Sequence, residues 1–268
     1  MFSILKNLFV QKKPIVRFWT NYPGLPEIEP IVKGTQEIPK WMRSMPSKTS
    51  GLGSGIIGHL LTAKTCPGIV DYFSHAYVLK MWTDVVFTIE QRENGTYNFG
   101  VETPSNGNFK FDSHLREQYQ DHIPQEVRDY NTWVVKAVSP WKLETPPGYS
   151  VLQLPMYYHY NMDFEVLPGV IDTDYHHEMN QQMMFFRPGK YTIKRGTPLC
   201  MFIPFKRQEY DLVCEEGTVE DEKNDFRSFL WVASKFGSGY RQKQKYHKEK
   251  NKQSKCPFGF GDKNSGRK

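Results

Sequence analysis

Pro168-Gly169-Val170-Ile171-Asp172-Thr173-Asp174-Tyr175 is the least generic stretch of this 268-residue chain, and the fold turns on how it is read. A Gly-led apolar run closes on Asp-x-Asp-Tyr, a composition suited to a tight hairpin whose acids alternate with apolar residues. Period two places Asp172, Asp174, His176 and Glu178 on one side of an extended segment. Facing a core, those charges would each carry a desolvation cost unless paired. They must therefore face water, a ligand or a neighbouring subunit.

Strand signals surround this stretch. Tyr77 to Glu90 is dense in β-branched and aromatic residues, and Asn94-Gly95 is a hairpin turn signal with a return through Tyr97, Phe99 and Val101. Thr132 to Val138, Tyr149 to Leu154, Glu178 to Phe186 and Leu199 to Phe205 continue the pattern. Pro146-Pro147-Gly148, Pro168-Gly169, Pro188-Gly189 and Arg195-Gly196 punctuate it. Aromatics make up 15% of the chain, and its 18 Pro and 20 Gly argue against long helices, so a mainly β sandwich or barrel is expected.

Upstream, Pro14, Pro23, Pro26, Pro30, Pro39 and Pro46 read as an extended arm over residues 1–50, with Trp19, Tyr22 and Trp41 as its anchors. Residues 51–213 form the expected β-rich body. One helix is expected within 214–240, where Phe226, Phe229, Leu230, Ala233 and Phe236 follow helical spacing behind Glu220, Asp221 and Glu222. Its apolar stripe should pack on the sheet or across a subunit interface. Residues 241–268 carry ten Lys or Arg against Glu249 and Asp262, a net of +8 against +6 for the whole chain, which leaves −2 elsewhere. That tail reads as disordered and solubilising, with a weak nucleic-acid contact as its functional alternative.

Four cysteines without CxxC spacing, no secretory signal and no long apolar run point to reduced thiols in the cytoplasm, away from membranes. In that setting Asn94-Gly95-Thr96 is a turn rather than a glycosylation site. Gly53-Ser54-Gly55-Ile56-Ile57-Gly58 matches a dinucleotide fingerprint but follows loop composition. The overlapping Gly58 to Thr65 segment is a poor phosphate loop, with Ala63 in place of a glycine and Pro67 set against a following helix. His176-His177-Glu178 has an iron-oxygenase spacing, yet the next downstream histidine is His247, so no metal site is expected. Tyr157-Tyr158-His159-Tyr160 should pack in a core or an interface.

The Gly169–Tyr175 segment resembles the G-V-I-D-x-D-Y hairpin of the dUTPase and dCTP deaminase family, a β-clip fold. Pro147-Gly148-Tyr149 with its following strand and Pro155 is similar to the strand leading to that family's phosphate-binding turn. Ile193-Lys194-Arg195-Gly196-Thr197-Pro198-Leu199-Cys200 resembles its I-x-x-G-x-R-I-A-Q segment, and Phe236-Gly237-Ser238-Gly239 echoes its C-terminal lid. The resemblance covers about residues 141–207. It implies that Asp172 activates water, that Tyr175 packs under deoxyribose, and that Gly169, Ile171 and Asp174 help to hold a ligand. It further implies Mg²⁺ on a triphosphate and a homo-oligomer, a trimer in many relatives, with this hairpin at an interface. The departures are Met156-Tyr157-Tyr158-His159-Tyr160 where the phosphate turn belongs, His177 in place of a glycine, and a missing glutamine.

As a whole the chain also resembles proteins of tailed phages. The shared segments are Phe18-Trp19, Thr65-Cys66-Pro67-Gly68 with Asp71-Tyr72, Ser139-Pro140-Trp141, Thr145-Pro146-Pro147-Gly148-Tyr149, and Pro204-Phe205-Lys206-Arg207. That likeness brings no activity with it and would place the protein in the host cytoplasm. The expectation is a β-clip (dUTPase-like) scaffold with a non-catalytic binding or assembly role. The alternative is a Mg-dependent hydrolase of dUTP-like nucleoside triphosphates.

Overall fold

Where period-two sequence meets paired backbone, the described residues form thirteen strands: β1 (Arg17–Thr20), β2 (Val32–Lys33), β3 (Tyr77–Lys80), β4 (Val85–Gln91), β5 (Tyr97–Glu102), β6 (Phe111–Ser113), β7 (Trp133–Glu144), β8 (Tyr149–Pro155), β9 (Phe164–Val166), β10 (Gly169–Ile171), β11 (Glu178–Phe185), β12 (Gly189–Ile193) and β13 (Pro198–Lys206). The computed structural model describes residues 13–49, 61–93, 96–104, 109–128, 130, 133–233 and 239–254. All pairings between these strands are antiparallel, in three sheets. The first runs β1-β7-β11-β9 with β6 also on β7, the second β10-β8-β13-β3-β2, and the third β12-β4-β5. The mainly β expectation holds, and among the described residues no sheet closes into a barrel.

β7 is the longest strand and shows why its neighbours lie where they do. Its register with β11 jumps from Val138 opposite Asn180 to Lys142 opposite Glu178, a bulge around Ser139-Pro140-Trp141. Pro140 has no N–H for the ladder, so it can sit only where pairing is interrupted. The Ser139 hydroxyl accepts the Trp141 N–H at 3.0 Å, and the Thr20 hydroxyl donates to the Pro140 carbonyl at 2.8 Å. Beyond the bulge β7 takes β1 as a partner through Trp141–Glu144.

The core is aromatic. Phe185 and Phe87 are fully buried and meet edge-on at 5.5 Å, and Phe164 and Tyr191 pack on Phe185 at 5.4 and 4.8 Å. A largely buried ion pair, Lys80 Nζ to Glu29 Oε1 at 2.5 Å, ties the N-terminal segment to β3.

Several boundaries differ from the sequence expectation. The N-terminal arm is not simply extended: besides β1 and β2 it holds α1 (Leu25–Ile28) and α2 (Lys40–Ser44). Its prolines start helices rather than stretch the chain. Pro26 lies in the first turn of α1 behind Gly24, which has φ 78°, and the Pro39 carbonyl accepts the Met42 N–H of α2 at 3.1 Å. The same physics overturns the bar set by Pro67, which opens α3 (Pro67–Ser74) because a first-turn residue needs no N–H. A fourth short helix, α4, spans Gln125–Arg128.

Two C-terminal helices replace the single one expected, α5 (Val219–Ala233) and α6 (Gly239–Ser254). Thr218 and Asp221 cap α5 reciprocally, the Thr218 N–H reaching Asp221 Oδ2 at 2.8 Å and the Asp221 N–H reaching Thr218 Oγ1 at 3.2 Å. α6 corrects the expected disorder of the tail over residues 241–254. Lys, Gln, Arg and Glu are good helix formers once a neighbouring helix supplies contact. The Gly53–Gly58 motif, Asn94-Gly95, Phe236-Gly237-Ser238 and the end of the tail lie outside the described residues.

The chain divides into two units. One holds the described residues of Met1–Ser44 and Asp71–Glu209, including all thirteen strands, and the other those of Met45–Val70 and Tyr210–Lys268. No described helix is long and apolar enough to cross a membrane. Cys200 is buried, which pushes its thiol pKa up, while Cys66 and Cys214 are exposed and unpaired.

Candidate functional site

The Gly169–Tyr175 segment is not a hairpin. β10 pairs with β8 at the edge of the second sheet, whereas β11 belongs to the first. Between them the chain makes a helical turn, in which the His176 N–H donates to the Asp172 carbonyl at 3.0 Å. The period-two expectation for Asp172 through Glu178 fails there, because the segment is curled rather than extended.

The connection from β7 to β8 crosses between the same two sheets beside it. Pro146-Pro147-Gly148-Tyr149 forms a turn with the Tyr149 N–H on the Pro146 carbonyl at 3.1 Å. Gly148 has φ 78°, the left-handed value that a type II turn demands at its third position. The two crossings are stitched together. The Thr145 N–H reaches the Thr173 carbonyl at 3.2 Å, and their buried hydroxyls lie 2.7 Å apart.

Arg207 closes the assembly. β13 pairs Lys206 with Tyr149, so the next residue arrives opposite Gly148, whose carbonyl accepts the Arg207 N–H at 2.9 Å. The guanidinium then grips Asp174 with both terminal nitrogens, Nη1 at 2.9 Å, and also donates to Ser150 Oγ at 3.0 Å. Its Nη1 lies 3.1 Å from Asp172 Oδ1. Asp174 Oδ2 further accepts the Gly148 N–H at 2.9 Å. Asp172 accepts the Ser150 hydroxyl on Oδ1 at 2.5 Å and the Tyr175 hydroxyl on Oδ2 at 2.9 Å.

These bonds fix the protonation states. The Arg207 guanidinium, helped by the Gly148 N–H, holds the Asp174 carboxyl down at about 2. Ser150, Tyr175 and then Arg207 hold Asp172 below the usual carboxylate range, while Arg207 itself is pushed up by Asp174. The Tyr175 hydroxyl is pushed up by the carboxylate to which it donates. A carboxylate so stabilised is a poor proton acceptor near neutrality, since a general base works best with a pKa near the working pH. Tyr175 presents its ring to solvent, at 72% exposure.

Of the residues singled out from sequence, the structure gathers Asp172, Asp174 and Tyr175 into one cluster. Gly169 sits in the edge strand, and Ile171 turns onto the core. Ser150 escaped the sequence reading, and Thr145 and Arg207 entered it only within phage-like segments, with no role given to either. A lone Asp-x-Asp in a structured turn calls for a cation, but only the β8–β13 register shows that Arg207 supplies it.

The aromatic stretch after Pro155 divides in two. Tyr158 packs on Phe73 at 5.7 Å and on Tyr72 at 5.6 Å, as core packing requires. Tyr157, His159 and Tyr160 instead line a cavity of about 400 Å³ with Met162, Glu165 and Pro198, which corrects the expectation of simple packing. Tyr160 takes φ 50°, ψ 50°, unusual for a side chain of its size, and rests 5.7 Å from Trp41. Among the described residues its lining includes Glu165 and neither lysine nor arginine. Among the described residues no three His, Cys, Asp or Glu side chains converge as a metal site needs.

The folded class is thus an antiparallel multi-sheet protein with an Arg-clasped acidic crossing. No family model matches the sequence, and no curated protein matches it. Among solved structures, two of the phage 80alpha dUTPase from a Staphylococcus bacteriophage align with it at 12% identity and a TM-score of 0.29. Both alignments cover 54% of this chain, and they cover 84% of one neighbour, a point mutant, and 78% of the other, a mutant with dUpNHpp. So low a score carries no argument about this chain, whose site is read from its own residues.

Proposed function

We propose that this chain is a non-catalytic binding and assembly protein of phage type, on a dUTPase-like β-clip scaffold, that associates with further copies of itself. One observation carries the reading: both oxygens of the Asp172 carboxylate are already engaged, by Ser150 and Arg207 on one side and Tyr175 on the other. The residue that hydrolysis would ask to hold a water is a structural acceptor instead.

Exposed apolar surface supports self-association. In the C-terminal unit Tyr210, Leu212, Val213, Val219, Phe226 and Phe229 are all exposed. Exposed apolar side chains concentrated in one short segment are the kind of surface that a partner covers. The same unit carries acids at Asp211, Glu215, Glu216, Glu220, Asp221 and Glu222, and bases on α6 at Arg241, Lys243, Lys245, Lys248 and Lys250. A second copy therefore offers complementary charge to each half.

Light scattering on the purified chain is expected to give a mass above one protomer, and the double variant Phe226→Asp/Phe229→Asp a monomer with unchanged β-sheet circular dichroism. A monomeric wild type at cellular concentration would refute the assembly role. Magnesium-dependent pyrophosphate release from a deoxynucleoside triphosphate, lost in Asp172→Asn, would overturn the non-catalytic reading and install the hydrolase in its place.

A further inference from the structure

A second cavity lies away from the Arg207 clasp, within the sheet-bearing unit, with a volume of about 550 Å³. Its floor is the connection from β3 to β4, Met81-Trp82-Thr83-Asp84, locked against the β12–β13 turn. The Met81 N–H donates to the Thr197 carbonyl and the Gly196 N–H to the Met81 carbonyl, each at 2.8 Å. Asp84 Oδ1 accepts the Arg195 N–H at 2.8 Å, and Oδ2 pairs with Lys194 Nζ at 3.1 Å. Gly196, at φ 85°, gives the turn the bend this requires.

The walls are aromatic and aliphatic. Tyr22 and Phe109 stack at 5.1 Å, and Trp82 meets Phe109 edge-on at 6.5 Å. Leu25, Ile28 and Pro104 complete the lining, Ile28 standing 57% exposed at the rim. The Trp82 side chain is 3% exposed and its ring stacks on Phe111 at 5.8 Å, so it backs the recess. Lys194 offsets Asp84, which leaves the exposed Arg195 guanidinium as surplus positive charge at the mouth.

We propose that this cavity binds a planar aromatic molecule carrying an anionic group, its ring among Tyr22, Trp82 and Phe109 and its carboxylate or phosphate at Arg195. The volume suits one small ligand, and an apolar recess with a few placed polar groups is the usual form of such sites. The anion could belong to an aromatic carboxylate or to a nucleoside monophosphate, and the test separates them. It is independent of the assembly role, since no residue of this cavity belongs to the C-terminal unit.

Calorimetric titration of the full chain with indole-3-acetate, adenosine 5′-monophosphate and neutral indole provides that test. At least one anion is expected to bind with a Kd of about 1 mM or tighter, and about tenfold more tightly than indole. Arg195→Gln should erase that preference without moving the melting temperature. Ile28→Asp, at an exposed rim position, should repel the anion while leaving indole binding in place. The proposal is overturned if neither anion binds, or if bound anion is indifferent to both variants. Preference for indole-3-acetate marks a carboxylate site, preference for the monophosphate a nucleotide site.

Discussion

Asp172 and Asp174, which the family resemblance marks for water activation and ligand holding, are both bound by Arg207 in space. Asp-x-Asp-Tyr was legible as unusual, and the requirement that its acids be paired or solvated was met by pairing. The partner was not legible, because Arg207 lies thirty-three positions away from Asp174 and only strand register brings them together. The pairing has a pH signature. Asp174 titrates at about 2 in the folded chain against roughly 3.9 when unfolded, and Asp172 and Asp84 are depressed in the same sense. Groups with depressed folded pKa values bind fewer protons folded than unfolded, so their stabilisation is complete above about pH 5 and is lost as pH falls towards 2. Melting temperature measured from pH 7 to pH 2 should therefore be flat and then drop. In Asp174→Asn the acid-side drop should be shallower, from a lower plateau; an unchanged profile would show that the clasp contributes nothing.

At the level of elements, strands with full period-two patterns were readable. β8, β11 and β13 fall within one residue of their expected spans, whereas β7 runs six residues past its expected end at Val138. What escaped were β1, β6 and β9, three or four residues each, whose existence depends on the edges they join. Prolines misled in both directions. They marked the arm as extended where Pro26 begins a helix, and they gave no warning that Pro140 sits inside the longest strand, at its bulge. The Pro147-Gly148 turn was read correctly, and Gly148 holds it at φ 78°. Gly148→Ala meets no steric neighbour within 4 Å, yet it must hold φ 78° with a Cβ, so a loss of about 1 kcal/mol or somewhat more is expected in urea denaturation. At α5, Thr218→Ala removes the cap and should cost about 1 kcal/mol of helix stability, read as earlier amide exchange in its first turn.

For the whole molecule, the mainly β class followed from composition and periodicity, while the partition into two units did not. Segments Met45–Val70 and Tyr210–Lys268 are far apart in sequence, and nothing in their composition announces that they cluster. The sheet-bearing unit should behave as one cooperative body around Phe185, fully buried against Phe87, Phe164 and Tyr191. Phe185→Ala is expected to cost about 3–5 kcal/mol in equilibrium unfolding, with near-ultraviolet dichroism lost together with far-ultraviolet signal. The basic segment makes a separate claim. Deleting residues 241–268 removes a net +8 and should abolish retention on heparin at low salt; a truncated chain that still elutes late would refute a polyanion contact through α6.

Arg207 is also the point at which the chain leaves its sheet, one residue past the end of β13. Tension applied to anything beyond it arrives first at a guanidinium anchored to Asp172, Asp174 and Ser150. A pull from the segment after Arg207 meets that anchor as well as the β13–β8 pairing, much as a knot behind a grommet spares the cloth.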